Sequence, residues 1–215
     1  MAVQGLVVLG GLTSIVQVIV ASDRIDLLDR VLRGDPNVTL QGLRDSDDLW
    51  FGVNRIGSIL YVLTLIVFLF WLRRVFQNLH GALKVNNLDY STGWAVGWWF
   101  VPFANFFKPK QVMNEAWTAS EPTHGPYSST WARDKAPALL SWWWASFLLA
   151  NFSVRLGFTS DDSTLKGVRQ LAVYGRVQEV LHLVLCVLFV LVVRGITGRQ
   201  EQRAVSLATR DAWPG

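Results

Sequence analysis

The sequence has little charge and almost no cysteine, and each shortage excludes a class of protein. Charged residues make up 17% of the 215-residue chain and hydrophobic residues 51%, whereas a soluble domain usually carries about 25% charged residues. This composition excludes a water-soluble enzyme and a disordered chain. The single cysteine, Cys186, lies inside an apolar run, so an intramolecular disulfide is excluded as well.

Sequence motifs for catalysis and cofactor binding are also missing. The chain has no HExxH, no Gly-x-Ser-x-Gly, no P-loop, no Cys-x-x-Cys and no Gly-x-Gly-x-x-Gly. Of the three histidines only His182 lies within a predicted membrane span, residues 171–194, and a bis-histidine haem would need two facing imidazoles at membrane depth. We therefore expect no catalytic residue, no cofactor and no metal.

What the sequence does contain is a set of long apolar runs. Charge-free segments cover 5–20, 56–72, 136–154 and 183–193. Stretches approaching about 20 apolar residues are typical of membrane-spanning helices, because lipid offers no hydrogen-bond partner to a free backbone group. The sequence predicts an all-α integral membrane helical bundle with four transmembrane helices, at residues 3–22, 50–72, 136–155 and 171–194, in a single membrane domain.

The first run has a second interpretation, as a secretory signal peptide. Residues 1–4 carry no Lys or Arg, and the run exceeds the usual apolar core of about 7–15 residues. We therefore interpret it as a membrane helix of the protein.

A further apolar stretch, residues 93–107, is short and irregular for a crossing. Pro102 interrupts it and Lys108-Pro109-Lys110 ends it, before a predicted helix over 111–119. Irregular backbone is tolerated in a membrane where protein covers it. We predict a re-entrant or interfacial helical hairpin over 93–119, with a fifth span as the alternative.

Basic residues set the predicted orientation. With four spans, segment 73–135 and the chain from Arg194 onward share one side, which holds 11 of the 20 Lys and Arg residues, and residues 195–215 form a tail on that side. Basic loops favour the cytoplasm, so we predict a multi-pass protein of the cell membrane with both termini cytoplasmic. The outer loop 23–49 would contain a short interfacial helix and a turn at residues 34–37.

One group of polar residues, the outer group, falls near the predicted outer ends of the spans. Spacings of three and four place several members on shared helix faces, and ionisable residues in membrane helices usually face the bundle or a water-filled cavity. We predict a cationic outer-leaflet pocket for an anion or a lipid headgroup. The alternative is structural, with arginine pairing to glutamate, one arginine snorkelling to the interface and the histidine satisfied by a neighbour. The group comprises Arg55, Asn151, Arg155, Arg176, Glu179 and His182.

The inner group lies at the other end of the second span and in the hairpin. Asparagine side chains are suited to broken backbone near a proline, and an Arg–Glu pair would fix the hairpin against the second span. A structural role is the favoured interpretation. The group comprises Arg73, Arg74, Asn78, Pro102, Asn105 and Glu115.

One stretch of the chain is distinctive. It reads WLRRVFQNL at 71–79, STGWAVGWWFVPFAN at 91–105, Lys108-Pro109, and VMNEAW at 112–117. It resembles the bacterial membrane family catalogued as domain of unknown function 4328, over about residues 50–203. Phe76 and Thr92 depart from the pattern, where a tyrosine and a proline are expected, so no role for a phenol at Phe76 carries over. The resemblance implies a bacterial multi-span membrane protein and no activity.

Three classes of function remain for such a protein. The favoured one is a non-enzymatic membrane-embedded sensor or assembly partner. The alternative is a subunit of an oligomeric channel or transporter for a small ion or anion, since four spans rarely enclose a pore alone; a membrane enzyme acting on lipid ranks third. Membrane lipid and a homo-oligomer are the expected partners. Nucleic acid is not, because the basic residues are divided among loops and form no stripe.

Overall fold

The computed structural model of the chain describes residues 2–157 and 163–212, and their side chains except at 152–157 and 210–212. Within these ranges every regular element is helical, which confirms the predicted all-α fold. Short 3-10 turns occur at Ala104–Phe106 and Thr130–Arg133. The α-helices are α1 (Ala2–Leu32), α2 (Leu40–His80), α3 (Thr92–Gly97), α4 (Lys108–Ala119), α5 (Ala138–Gly157) and α6 (Leu165–Ala212).

Three of these helices are long and apolar enough to cross a membrane, namely α1, α2 and α6 over Leu165–Thr209. In the most apolar 18-residue window of α2 only 11% of the residues are buried. Large apolar side chains such as Ile59, Phe70 and Val187 are more than half exposed, as lipid-facing residues must be. The chain is thus a membrane helical bundle, and a crossing by α5 stays a prediction.

The long helices continue past the predicted span ends. Where an outer loop was expected, α1 extends to Leu32 and α2 begins at Leu40, and where a tail was expected, α6 runs to Ala212. The predicted turn lies between α1 and α2, where Gly34 has φ +75°. There Asp35 accepts hydrogen bonds from the backbone and side-chain N–H groups of Asn37, both at 2.9 Å.

Ion pairs between helices account for the extended ends. Arg24 of α1 is 9% exposed and its guanidinium lies 2.5 Å from the carboxylate of Asp47 on α2. Asp29 of α1 accepts two hydrogen bonds from Arg169 of α6. Because these charges find partners on neighbouring helices, the polar flanks stay helical beyond the apolar runs.

The chain divides into two compact units: unit 1 is Met1–Thr64 with Ala145–Val187, and unit 2 is Leu65–Trp144 with Leu188–Gly215. In unit 1, glycines allow helices to approach closely. A Cβ at Gly57 would lie 2.8 Å from Nε2 of Gln17, and one at Gly175 would lie 2.8 Å from the Trp50 ring.

Unit 2 is built around aromatic rings and one face of α4. Phe68 contacts the rings of Trp99 at 4.9 Å and Phe189 at 5.1 Å between centroids, in edge-to-face geometry. Helix α4 begins with Pro109 in its first turn, where a missing N–H costs little. Its buried face includes Val112, Met113, Ala116 and Ala119, all fully buried.

Candidate functional site

Unit 1 contains a buried polar cluster, the intramembrane cluster, formed by Ser14 of α1 with Glu179 and His182 of α6. Ser14 is 1% exposed, and its Oγ lies 2.8 Å from Nδ1 of His182. The Glu179 carboxylate lies next to the same hydroxyl, and its Oε2 lies 4.0 Å from Nδ1 of His182. A hydroxyl can accept one hydrogen bond while donating another, so Ser14 links the imidazole to the carboxylate.

Other polar and polarisable groups surround the intramembrane cluster. The Sγ of Cys186 lies 4.0 Å from Nδ1 of His182, and the Tyr61 ring centroid lies 6.2 Å from the imidazole. The Asn151 side chain lies near the Tyr61 hydroxyl. One turn from Ser14 on α1, Gln17 is 6% exposed and donates to Asn54 Oδ1 at 3.3 Å. The interior of unit 1 therefore contains polar side chains at several positions along α1.

The outer group is brought together only in part. Glu179 and His182 meet at Ser14, and Asn151 donates to the carbonyl of Phe147 of its own helix at 2.8 Å. Arg55 is exposed and Arg176 is half-buried, and within the described side chains neither forms an ion pair. The Arg155 side chain lies outside the described residues. The cationic pocket stays a prediction.

The expected ion pair between Glu115 and Arg73 or Arg74 is not what the structure contains. Both arginines are exposed on α2, and the Glu115 carboxylate, 5% exposed, accepts the backbone N–H groups of Asp89 at 2.5 Å and Tyr90 at 3.2 Å. Burial raises the pKa of Glu115 to about 7, aided by the negative charge of Asp89 and opposed by the two N–H donors. The carboxylate fixes the loop before α3 to α4.

The other members of the inner group take separate positions in unit 2. Asn78 donates to Oε1 of Gln200 at 3.0 Å. Pro102 lies exposed in the turn after α3. The backbone N–H of Asn105 donates to the carbonyl of Val101 at 3.0 Å, while its buried side-chain oxygen has no hydrogen-bond partner within the described ranges.

Sequence reasoning missed a row of polar residues on α6. Arg203 is fully buried and donates to the carbonyls of Ala119 at 2.7 Å and Gly125 at 3.1 Å. Arg199 pairs with Glu121 and its guanidinium carbon lies 4.8 Å from the centre of the Trp117 ring. The four-residue spacing of the two arginines was the available signal, but residues after 194 were interpreted as a tail. Ser14 and Gln17, three apart within an apolar run, were a similar signal.

A groove of about 360 Å³ opens in unit 2 between the ends of α2 and α6. The indole N–H of Trp71 donates to Thr197 Oγ1 at 3.3 Å across it. Its wall combines apolar surface with amide, hydroxyl and charged groups, including Arg74, Asn78, Thr197, Gln200 and Glu201.

The long apolar helices and the buried polar cluster define the class of this chain, a helical multi-span membrane protein. The family described as Domain of unknown function (DUF4328) matches residues 34–198, and the chain belongs to that family. The matched range includes Glu179, His182 and Thr197, whereas Ser14 and Arg203 lie outside it. No curated protein and no solved structure matches the chain.

Proposed function

We propose that this protein is a non-enzymatic, membrane-embedded sensor or assembly partner, and that the intramembrane cluster is its responsive element. The supporting observation is that His182 is hydrogen-bonded to Ser14 on another helix, with Glu179 next to the same hydroxyl. Ionisable groups are costly in a bilayer and are usually retained for a function. A ligand or a proton that binds at this position would act on the contact between α1 and α6.

The chemistry of the cluster gives this event a physical form. An ionised Glu179 only accepts hydrogen bonds, whereas a protonated one also donates. A change of its charge therefore reverses the direction of the Ser14 hydroxyl and alters the bond from that hydroxyl to His182. The contact between α1 and α6 would then differ between two states, which is the requirement for a switch.

The broken segment over 98–107 belongs to the same proposal as a re-entrant part of the membrane domain. Trp99 contacts Phe68, which lies in the apolar run of α2 five residues before Arg73. The Trp144 indole N–H donates to the carbonyl of Phe106 at 3.1 Å, so protein covers the irregular backbone as lipid requires. A location in the cell membrane with both termini cytoplasmic follows from the distribution of basic residues.

A subunit of an oligomeric channel or transporter is the second candidate, favoured by the succession of polar contacts along α1. Arg24 contacts Asp47, Gln17 contacts Asn54, and Ser14 contacts His182. Arg24 and Ser14 are ten residues apart, about 15 Å along a helix. Such a series of polar groups is suited to a proton or small ion, and additional copies of the chain would complete the path.

Reconstitution into liposomes separates the two candidates. For a sensor, hydrogen exchange of α1 should differ between mildly acidic and mildly basic pH in the wild type, with no proton flux. Glu179→Gln should remove that difference, whereas Asp48→Asn, at an exposed acid on α2, should preserve it. A proton flux that Glu179→Gln abolishes would overturn the sensor proposal in favour of the channel. Exchange that is independent of pH in the wild type would also overturn it.

A further inference from the structure

The groove in unit 2 has a preorganised wall and two charged groups facing it. Gln200 is 7% exposed and donates to the carbonyl of Val75 at 3.2 Å and to Ser120 Oγ at 3.3 Å, while accepting from Asn78. These bonds fix the amide side of the groove. Arg74 and Glu201 also line it, and neither has an ion pair or side-chain hydrogen bond within the described part of the chain.

The groove lies at the end of a lipid-facing surface. Arg74 follows the apolar run of α2, which ends at Leu72. Phe70, 69% exposed, lies four residues before Arg74 and therefore on the same helix face, with Ile66, 46% exposed, one turn further back. An amphiphile with its head in the groove can place its acyl chains along these two residues. A water-soluble anion has no acyl chains that could contact this apolar surface.

The charges that line the groove select among lipid headgroups. The Arg74 guanidinium provides paired N–H donors that suit a phosphate. The Glu201 carboxylate accepts hydrogen bonds and repels a second negative charge. A primary ammonium group has three N–H donors to offer it, whereas a quaternary ammonium group has none.

We propose that this groove binds the headgroup of a zwitterionic aminophospholipid, such as phosphatidylethanolamine. Arg74 binds the phosphate, Glu201 accepts from the ammonium, and the chains lie along Ile66 and Phe70. This site belongs to unit 2 and is independent of the intramembrane cluster, so its failure would leave the proposed function untouched.

Native mass spectrometry of the delipidated protein, titrated with lipids of identical acyl chains, tests the proposal. The wild type should bind phosphatidylethanolamine about tenfold more tightly than phosphatidylcholine or phosphatidylglycerol. Arg74→Gln should weaken binding of phosphatidylethanolamine by about tenfold or more. Glu201→Gln should remove the preference over phosphatidylcholine and strengthen binding of phosphatidylglycerol. Arg73→Gln, at the neighbouring arginine that does not line the groove, is the matched control and should behave as wild type.

Several outcomes would overturn the proposal. Equal losses for Arg73→Gln and Arg74→Gln would indicate nonspecific attraction to lipid. A wild-type preference for phosphatidylglycerol that Glu201→Gln leaves unchanged would indicate an anion site. Competition by inorganic phosphate as effective as that by the lipid would indicate a phosphate site. Because Arg74 is exposed, Arg74→Gln should unfold at the wild-type temperature, and Arg74→Lys, which keeps the charge without the paired donors, should bind with intermediate affinity.

Discussion

The Nδ1 atom of His182 lies 2.8 Å from the hydroxyl oxygen of Ser14, so one hydrogen bond joins positions that are 168 residues apart in the sequence. The Glu179 carboxylate lies next to the same hydroxyl. Two ionisable side chains of α6 thus lie at a single hydroxyl of α1. Loss of that hydroxyl leaves buried polar groups without this partner, which is costly.

Ser14→Ala should therefore lower the free energy of unfolding by about 1–3 kcal/mol. Thr13→Ala is the matched control, because the Thr13 hydroxyl donates to the Leu9 carbonyl of its own helix at an exposed position, and it should cost less than about 0.5 kcal/mol. Chemical denaturation in detergent measures both variants. Equal losses would show that the interhelical bond is not stabilising.

The pH dependence of the free energy of unfolding should reflect the titration of the Glu115 carboxyl. Its pKa is raised from 4.5 to about 7 in the folded protein, so the folded state binds this proton more tightly than the unfolded state. The stability that Glu115 contributes is then complete below pH 4.5 and is lost as the pH rises through about 7. Glu115→Gln should remove this slope and gain about 3 kcal/mol on the wild type between these limits. Unfolding curves at a series of pH values provide the test, and parallel pH profiles would contradict the prediction.

Two glycines of α6 should respond to alanine with opposite signs. A Cβ at Gly195 would lie 2.3 Å from Cζ3 of Trp117, whereas one at Gly198 would meet nothing within 4 Å. We expect Gly195→Ala to destabilise by about 1–3 kcal/mol through overpacking and Gly198→Ala to stabilise by about 0.5–1 kcal/mol through helix propensity. Melting temperatures of the two variants, each compared with that of the wild type, test both predictions. A stabilising Gly195→Ala would show that α4 does not pack closely against α6.

Arg203 should not tolerate lysine. Its guanidinium donates to three backbone carbonyls, those of Ala119, Glu121 and Gly125, a pattern that a lysine ammonium group cannot reproduce. Arg203→Lys should cost about 1.5–3 kcal/mol, the scale of hydrogen bonds from a charged donor. Arg194→Lys, at an exposed position of the same helix, should be close to neutral. Similar unfolding midpoints for the two variants would argue against a stabilising role of the hydrogen bonds from Arg203.

The apolar runs predicted the helical membrane fold because lipid imposes one rule on every residue of a span. The positions of the helix ends could not be predicted, because they depend on ion pairs between helices, such as that of Asp29 with Arg169. These residues are far apart in sequence and individually ordinary. A window of local hydrophobicity cannot anticipate such a partner.

Site residues were predictable by type but not by partner. The cost of charge in lipid identified Glu179 and His182, yet their common partner is a serine in an unremarkable apolar run. Glu115 was expected to need an arginine, but backbone N–H groups bind it instead. Backbone donors are present in every sequence and only the path of the chain selects them.

The position of Cys186 gives the wild-type protein a chemical probe beside the intramembrane cluster. The thiol is buried, lies 4.0 Å from His182, and its Cβ would lie 3.6 Å from a Cβ at Gly11. It is also the chain's single cysteine. A small membrane-permeant maleimide can therefore modify the protein at one atom, and only when the α1–α6 packing opens. The rate of alkylation therefore reports how often that packing opens, and it can be measured in the unmutated protein.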